Sequence, residues 1–182
     1  TRILITHWHT DHILGLPGLL KTLAMSGYNK TLFIYGPQGT KGLMGALLKL
    51  FAFKDEYPIK IQEVSGKFLE TKDFYLEAER MVHGVPCNAY SFVKKGQRRI
   101  DKEKLRKSGL LLGPMLQKLK EGKNVIYNGK KYLAKNLTYF EKGKKISFVF
   151  DTRVNDKIIP FVKDSDIFIC EACSVDEEVA AR

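Results

Sequence analysis

Residues 7–12, with the sequence His-Trp-His-Thr-Asp-His, constrain the fold of this chain more than any other feature. They follow the aliphatic and β-branched run 2–6, which predicts a strand, and precede the stretch 13–28, in which leucines recur at helical spacing. A further strand and a further amphipathic helix are predicted at 31–35 and 40–53. The sequence therefore predicts an α/β fold in which the 7–12 segment forms a strand-to-helix loop.

The 7–12 segment contains three imidazoles and one carboxylate, those of His7, His9, His12 and Asp11. These groups are suitable ligands for zinc and, less selectively, for manganese or iron. A four-coordinate ion that keeps one position open for substrate takes fewer than four protein ligands. Four donors on one short segment therefore lead us to expect two ions. The alternative, a set of packed or surface histidines, is disfavoured because three of the chain's four histidines lie here.

Two further candidate ligands each follow a predicted strand. His83 ends the period-two run 74–82, and Asp151 ends the strand predicted at 146–150. Taken alone, each of them is better explained as an ordinary turn or cap residue. Because strand ends can bring distant residues together beside the 7–12 segment, we predict that both are metal ligands.

Positive charge is concentrated between positions 94 and 145. That segment holds 17 Lys or Arg and four acidic residues, whereas the rest of the chain holds 14 basic and 16 acidic residues. Clustered positive charge on an otherwise near-neutral protein is expected for a polyphosphate or nucleic-acid partner. A solvated, lysine-rich surface is an alternative of equal weight. Tyr127 and Tyr132 in this segment either stack on bases or hold a small core of the segment's own.

The composition fits one globular domain, since 44% of the 182 residues are hydrophobic and 28% are charged. No apolar run reaches the roughly 18 residues needed to span a bilayer, so no membrane partner is expected. Three cysteines in a chain of this length predict reduced thiols and a cytoplasmic location. The period-two runs 59–64 and 74–82 predict antiparallel strands with one solvated face.

Three motifs carry a family resemblance. The 7–12 segment, His83 with the Gly-Val-Pro that follows it, and Asp151 in a Phe-Asp-Thr-Arg sequence resemble metal motifs of the metallo-β-lactamase superfamily. More narrowly, the stretches 5–19 and 85–92, together with Gly113 and Pro114 inside a basic insert, look like ribonuclease Z. The resemblance covers nearly the whole chain.

The resemblance implies a metallo-β-lactamase fold, an αββα sandwich that is incomplete at both termini, across residues 1–182. Within it, 94–140 is an inserted, protruding basic arm that binds RNA through Gly113, Pro114, Lys118, Lys120 and Lys123. Further strands would precede Thr1 and two further histidines would follow Arg182, so we expect a fragment that can be inactive by itself.

The resemblance also implies a binuclear zinc site, for which manganese is a substitute. In that site His7, His9 and His83 bind one ion, Asp11 and His12 bind the other, and Asp151 bridges them. A hydroxide held between the ions would attack a phosphodiester at the 3′ trailer of precursor tRNA, and Asp11 would orient or deprotonate the attacking water. Family members are usually homodimers, which is carried over as an expectation.

Some residues depart from the family pattern, and other functions remain open. Ala89 and Phe150 replace glycines, and Cys170 stands where a histidine is common. One alternative function is a metallo-β-lactamase-fold hydrolase of small esters or thioesters, which needs the same ligands but no polybasic arm. A second alternative is a non-catalytic RNA-binding module.

Overall fold

The computed structural model describes residues 1–54, 56–111 and 113–171. Helices and strands alternate along much of the chain. The strands are β1 (Arg2–Leu4), β2 (Leu32–Gly36), β3 (Ile59–Glu63), β4 (Gly66–Glu70), β5 (Phe74–Met81), β6 (Cys87–Lys94), β7 (Gln97–Ile100), β8 (Val125–Tyr127), β9 (Lys130–Tyr132), β10 (Thr138–Glu141), β11 (Lys144–Val149) and β12 (Ile167–Cys170). The helices are α1 (Thr10–Ile13), α2 (Leu16–Met25), α3 (Thr40–Leu50), α4 (Lys102–Ser108), α5 (Met115–Lys120), α6 (Ala134–Leu137) and α7 (Ile158–Val162). The expected α/β class is thereby confirmed.

The chain divides into two compact units. The first unit comprises residues 1–70, 75–92 and 145–171, and the second unit comprises residues 71–74 and 93–144. The second unit contains the basic segment that the sequence singled out, with slightly different boundaries from the predicted arm.

The first unit contains a parallel sheet of β1, β2 and β3, in that order. Its central strand carries Leu32 and Ile34, which are fully buried against helices α2 and α3 together with Leu20 and Met44. The prediction that 59–64 is antiparallel is wrong, because β3 pairs parallel with β2. The connection from β2 to β3 passes through helix α3, and a crossover of that kind returns the chain in the same direction.

A five-stranded sheet, in the order β12-β11-β6-β5-β4, forms the other layer of the first unit. Along β5 the side chains of Leu76 and Ala78 are buried while their neighbours are more exposed, which agrees with the predicted solvated face. Strand β4 pairs antiparallel with β5 and was not predicted from the sequence. Met81, Cys87, Ala89 and Val149 form a small core that packs on helix α7, so the strand ends that lead to His83 and Asp151 are held in place.

The second unit has a core of its own. Its residues Leu105, Leu110, Leu119, Val125, Tyr132, Ala134 and Leu137 form one buried cluster. Strands β7 and β10 pair antiparallel, and β8 and β9 form a hairpin whose turn residues Asn128 and Gly129 have positive φ angles of 48° and 74°. The basic segment is therefore folded, and Tyr132 belongs to its core.

The thiols of Cys87 and Cys170 are free, as expected, and Cys173 lies outside the described residues. Among the described residues, no helix combines the length and the apolar character that crossing a membrane would require.

Candidate metal centre

The 7–12 segment leaves the parallel sheet immediately after β1. The Ile5 amide still donates to the Tyr35 carbonyl at 2.8 Å, and beyond this residue the chain departs from the sheet. Asp11 and His12 lie in the one-turn helix α1, whose last bond runs from the Leu14 amide to the Thr10 carbonyl at 2.9 Å. The predicted loop is therefore irregular in its first half and helical in its second half. Candidate ligand side chains from both halves point into the same space.

His83 and Asp151 reach the same space from the five-stranded sheet. Both follow strand ends, and Thr152 links the two turns, because its Oγ1 accepts a hydrogen bond from the Val82 amide at 3.1 Å. The Arg153 amide donates to the Val82 carbonyl at 2.9 Å. Asp151 has a φ angle of 45°, in the left-handed region that few residues other than glycine adopt. This unusual conformation directs its carboxylate toward the histidines.

The first group of donors contains His7, His9, His83 and Asp151, whose ligand atoms all lie within 4.8 Å of one another. The Nε2 atoms of His7 and His83 are each 3.1 Å from Nδ1 of His9. His7 Nε2 is 3.4 Å from Asp151 Oδ2. Three imidazoles from two segments of the chain thus converge on one point.

The second group contains Asp11, His12 and Asp151. His12 Nε2 lies 3.1 Å from Asp151 Oδ2 and 3.2 Å from Asp11 Oδ2. The Asp11 side chain is 72% exposed, whereas that of Asp151 is 17% exposed. Asp151 is therefore common to both groups, and Asp11 is the carboxylate that faces solvent.

Electrostatics keep two of these imidazoles uncharged at neutral pH. Burial, followed by the neighbouring His12 and His83, lowers the pKa of His7 from 6.5 to about 4. Burial also lowers the pKa of His83, and His9 adds to that effect. Burial raises the pKa of Asp151, but contacts with Glu171 and the surrounding imidazoles outweigh it, so this pKa lies below its usual value. Neutral imidazole and ionised carboxylate are the forms that bind metals.

Hydrogen bonding alone does not satisfy this arrangement. Nδ1 of His9 offers either one lone pair or one proton, yet two imidazole nitrogens lie 3.1 Å from it. Asp151 Oδ1 is buried and has no hydrogen-bond partner among the described residues. A buried carboxylate oxygen without a partner is costly unless a cation or a donor fills the space beside it. The donor set of imidazoles and carboxylates therefore fits divalent cations of the zinc class.

Two supporting contacts were not predicted from the sequence. Thr6 Oγ1 lies 3.2 Å from Nδ1 of His7, and a partner at this nitrogen orients the ring so that Nε2 faces the centre. The Trp8 indole donates to Oγ1 of Thr40 at 3.0 Å. Hydroxyl-bearing residues carry little positional signal in a sequence, so only the three-dimensional arrangement reveals these roles.

The candidate RNA-binding residues lie in the second unit, and the metal ligands lie in the first. Gly113 and Pro114 precede helix α5, which carries the exposed Lys118 and Lys120. Lys123 follows that helix, and its Nζ lies 3.0 Å from Glu121 Oε2. The structure thus brings the six candidate ligands together and groups the RNA candidates around one short helix.

Comparison with known proteins gives this arrangement a family context. The chain is 41% identical over 176 residues to a protein named ribonuclease Z from Nanoarchaeum equitans (strain Kin4-M), covering 97% of this chain and 56% of that protein. A protein of the same name from Oceanobacillus iheyensis is 37% identical over 190 residues, covering 100% of this chain and 61% of that protein. This chain is homologous to ribonuclease Z. It spans less than two thirds of the length of either ribonuclease Z, and no protein-family model matches it.

Solved structures support the fold that the ribonuclease Z resemblance implied. Human tRNase Z, short form, superposes with a TM-score of 0.59 at 19% identity, covering 98% of this chain and 60% of that one. The metallo-β-lactamase-fold protein YhfI from Bacillus subtilis gives a TM-score of 0.52 at 16% identity, covering 92% of this chain and 47% of that one. The predicted metallo-β-lactamase fold is confirmed.

Proposed function

We propose that the protein is a metal-dependent endoribonuclease that removes the 3′ trailer of precursor tRNA. The observation that carries this proposal is the convergence of two donor groups on a shared Asp151, in a chain homologous to ribonuclease Z. Two cations held by one bridging carboxylate are a common arrangement for hydrolysing phosphodiesters.

The residues divide into distinct roles in this proposal. His7, His9 and His83 would hold one ion, Asp11 and His12 would hold the other, and Asp151 would be shared by the two. When bound, the two ions supply Lewis-acid activation of the phosphodiester and of water. Zinc is the proposed metal because imidazoles dominate the donor set, and manganese is a substitute.

Asp11 has the position expected of the general base, the group that accepts a proton from the attacking water. Its carboxylate is the most exposed of the candidate ligands, and it lies 3.2 Å from His12. An ionised carboxylate at the solvent side of the centre can orient a water molecule and accept its proton. We therefore assign Asp11 the catalytic role of base as well as that of ligand.

The second unit supplies the proposed contacts to RNA. Lys118 and Lys120 extend from helix α5, and Gly113 and Pro114 shape the turn before it. Lysines on a folded surface track the phosphate backbone of a structured RNA without reading its sequence. A homodimer and a cytoplasmic location, both carried over from the ribonuclease Z resemblance, complete the proposal.

The test is a cleavage assay on tRNA that carries a 3′ extension, with the full-length protein and with zinc or manganese. We expect one cut at the 3′ end of the mature tRNA, loss of cutting after chelation, and restoration by added metal. The matched variant is Asp11→Asn, which should abolish cutting because it removes both the carboxylate that accepts the proton and a ligand of the second ion. Intact RNA with the metal-loaded protein, accompanied by turnover of a small ester or thioester, would instead support a small-substrate hydrolase.

A further inference from the structure

A small cavity in the first unit lies beside the turn that carries His83. Its volume is about 250 Å³, and the residues that form its walls include Pro37, Glu63, Val64, Arg80, Pro86 and Asn88. None of these residues belongs to the metal centre. Arg80 lies three residues before His83, and Pro86 lies three residues after it, so both walls come from the chain that flanks this ligand.

Hydrogen bonds connect the cavity to Thr6, the residue before the 7–12 segment, and hold the cavity walls in place. The Asn88 amide donates to the Thr6 carbonyl at 2.9 Å, and Nδ2 of the same residue donates to the Val64 carbonyl at 2.9 Å. The Val64 amide donates to the Gly36 carbonyl, also at 2.9 Å. Asn88 is buried, so these bonds are shielded from water. The cavity is therefore preformed, which lowers the entropy that a ligand loses on binding.

The two charged side chains of the cavity differ in whether another group of the protein already binds them. Glu63 Oε1 accepts hydrogen bonds from the amides of Gly39 and Lys41, at 3.1 and 3.0 Å, so its charge is engaged at the start of helix α3. The Arg80 side chain is exposed and forms no hydrogen bond or ion pair with any described residue. The cavity consequently offers one guanidinium whose five donors are available to an anion.

The remaining walls are mixed, because Gln38, Ser65 and Asn88 contribute polar side chains and three further residues contribute apolar ones. Pro37, Val64 and Pro86 present rings and methyl groups rather than hydrogen-bonding side chains. A site that combines a planar cation with apolar faces suits a ligand that has a phosphate at one end and a flat, weakly polar group at the other. A nucleotide has this chemistry, whereas inorganic phosphate would leave the apolar walls unused.

We propose that this cavity binds one nucleotide of the RNA strand next to the scissile phosphodiester. Arg80 binds the backbone phosphate of that nucleotide, and its base packs against Pro37 and Pro86. This inference rests on the proposed ribonuclease function, and it adds a positioning site that fixes which phosphodiester reaches the metal centre.

The binding test uses the full-length, chelator-treated protein with uridine 5′-monophosphate and, separately, inorganic phosphate as probes, followed by NMR titration. We expect the nucleotide to bind more tightly than phosphate, and Arg80→Gln to weaken its binding by roughly tenfold or more, as for the loss of a charge-assisted contact. Arg80→Lys should recover part of the affinity. Lys60→Gln is the matched control, because it removes one exposed charge on strand β3 from a residue that does not line the cavity.

Cleavage kinetics separate this inference from the proposed function. With the metal-loaded protein and 3′-extended tRNA, Arg80→Gln should raise KM and scatter the cleavage position, whereas bound metal stays unchanged. Nucleotide binding that depends on Arg80 in a protein that cuts no tRNA would leave the cavity assignment standing and overturn the ribonuclease proposal. Equal affinity for phosphate and nucleotide, or an Arg80→Gln protein indistinguishable from Lys60→Gln, would overturn the nucleotide site and leave the ribonuclease proposal intact.

Discussion

The Trp8 indole N–H donates a 3.0 Å hydrogen bond to Oγ1 of Thr40 and so ties the 7–12 segment to the start of helix α3. Trp8 lies between the ligands His7 and His9, and Thr40 is fully buried. The bond crosses 32 positions of the sequence. Because one anchored side chain limits the motion of both neighbouring imidazoles, we expect this contact to prepare the metal centre before any ion binds.

Replacing Trp8 by Phe retains an aromatic ring and removes the N–H donor. We expect the free energy of unfolding to fall by about 1 kcal/mol, the usual net value of a hydrogen bond, and zinc affinity to fall as well. Urea unfolding followed by circular dichroism and competition with a chromophoric chelator measure the two effects. Thr40→Ser retains the acceptor and should leave zinc affinity near that of the unaltered protein. Undiminished zinc affinity in Trp8→Phe would show that the bond does not position the ligands.

The Thr40 side chain also packs closely against Gly36. A Cβ added at Gly36 would overlap Thr40 Oγ1 and lie 2.8 Å from Thr40 Cγ2. We expect Gly36→Ala to destabilise the protein by about 1–3 kcal/mol, as overpacking does, and to break the Trp8 bond.

The matched control is Gly45→Ala, within helix α3. A Cβ there meets nothing within 4 Å, and alanine in a helix is about 0.5–1 kcal/mol more favourable than glycine. Denaturation midpoints should therefore shift in opposite directions for the two variants. A denaturation midpoint of Gly36→Ala that equals or exceeds that of the unaltered protein would mean that Thr40 moves aside at no cost.

Asp151 is the residue that both donor groups share, and this sets the expected metal stoichiometry. Asp151→Asn should reduce the bound zinc of the full-length protein from two ions toward none, because an amide is a weak ligand that bridges poorly. Asp11→Asn should retain the ion of the first group and lose only the other. Elemental analysis after gel filtration measures the ratio. Asp156→Asn, an equal charge change at an exposed position, serves as the control, and two bound ions in Asp151→Asn would disprove the shared role.

The metal-free protein should be sensitive to acid. His7 has a pKa of about 4 in the folded chain because it is buried, and the unfolded chain restores a value near 6.5. Below pH 6.5 the unfolded state therefore binds the proton more readily, so stability is complete above that pH and declines toward pH 4. The loss by pH 4 should be about 2–3 kcal/mol, and the lowered pKa of Asp151 acts in the same direction at still lower pH.

Urea titrations of the chelator-treated protein at several pH values measure this loss. In His7→Gln, the part of the decline that is due to His7 should vanish. A decline of equal size in that variant would assign the acid sensitivity to other groups.

The sequence was sufficient to select the six candidate ligands that the structure brings together, because four of them lie on one short segment and the other two follow predicted strands. His83 was predicted from the period-two run 74–82 and Asp151 from the strand at 146–150, and the fold brings both to the 7–12 segment. Contacts such as Trp8 to Thr40 could not be predicted, since they depend on how a helix packs on a sheet. The same limit explains the error at β3, because its alternating pattern reports an exposed face and carries no information about strand direction.

The basic second unit leads to a prediction about salt. Lys118 and Lys120 are exposed and form no ion pair with any described residue, whereas Lys123 lies 3.0 Å from Glu121 Oε2. If the first two bind RNA phosphates, the double change to Gln should reduce the slope of log affinity against log salt by about 2, or about 1 for each lysine. Lys123→Gln should reduce it less, because that ammonium group already has a carboxylate partner. Filter binding of precursor tRNA measures this slope. The salt concentration is varied between roughly 50 and 200 mM, a range in which such slopes are resolved. Equal slopes for the double variant and the unaltered protein would remove helix α5 from the RNA-binding surface, even if cleavage by the metal centre were unaffected.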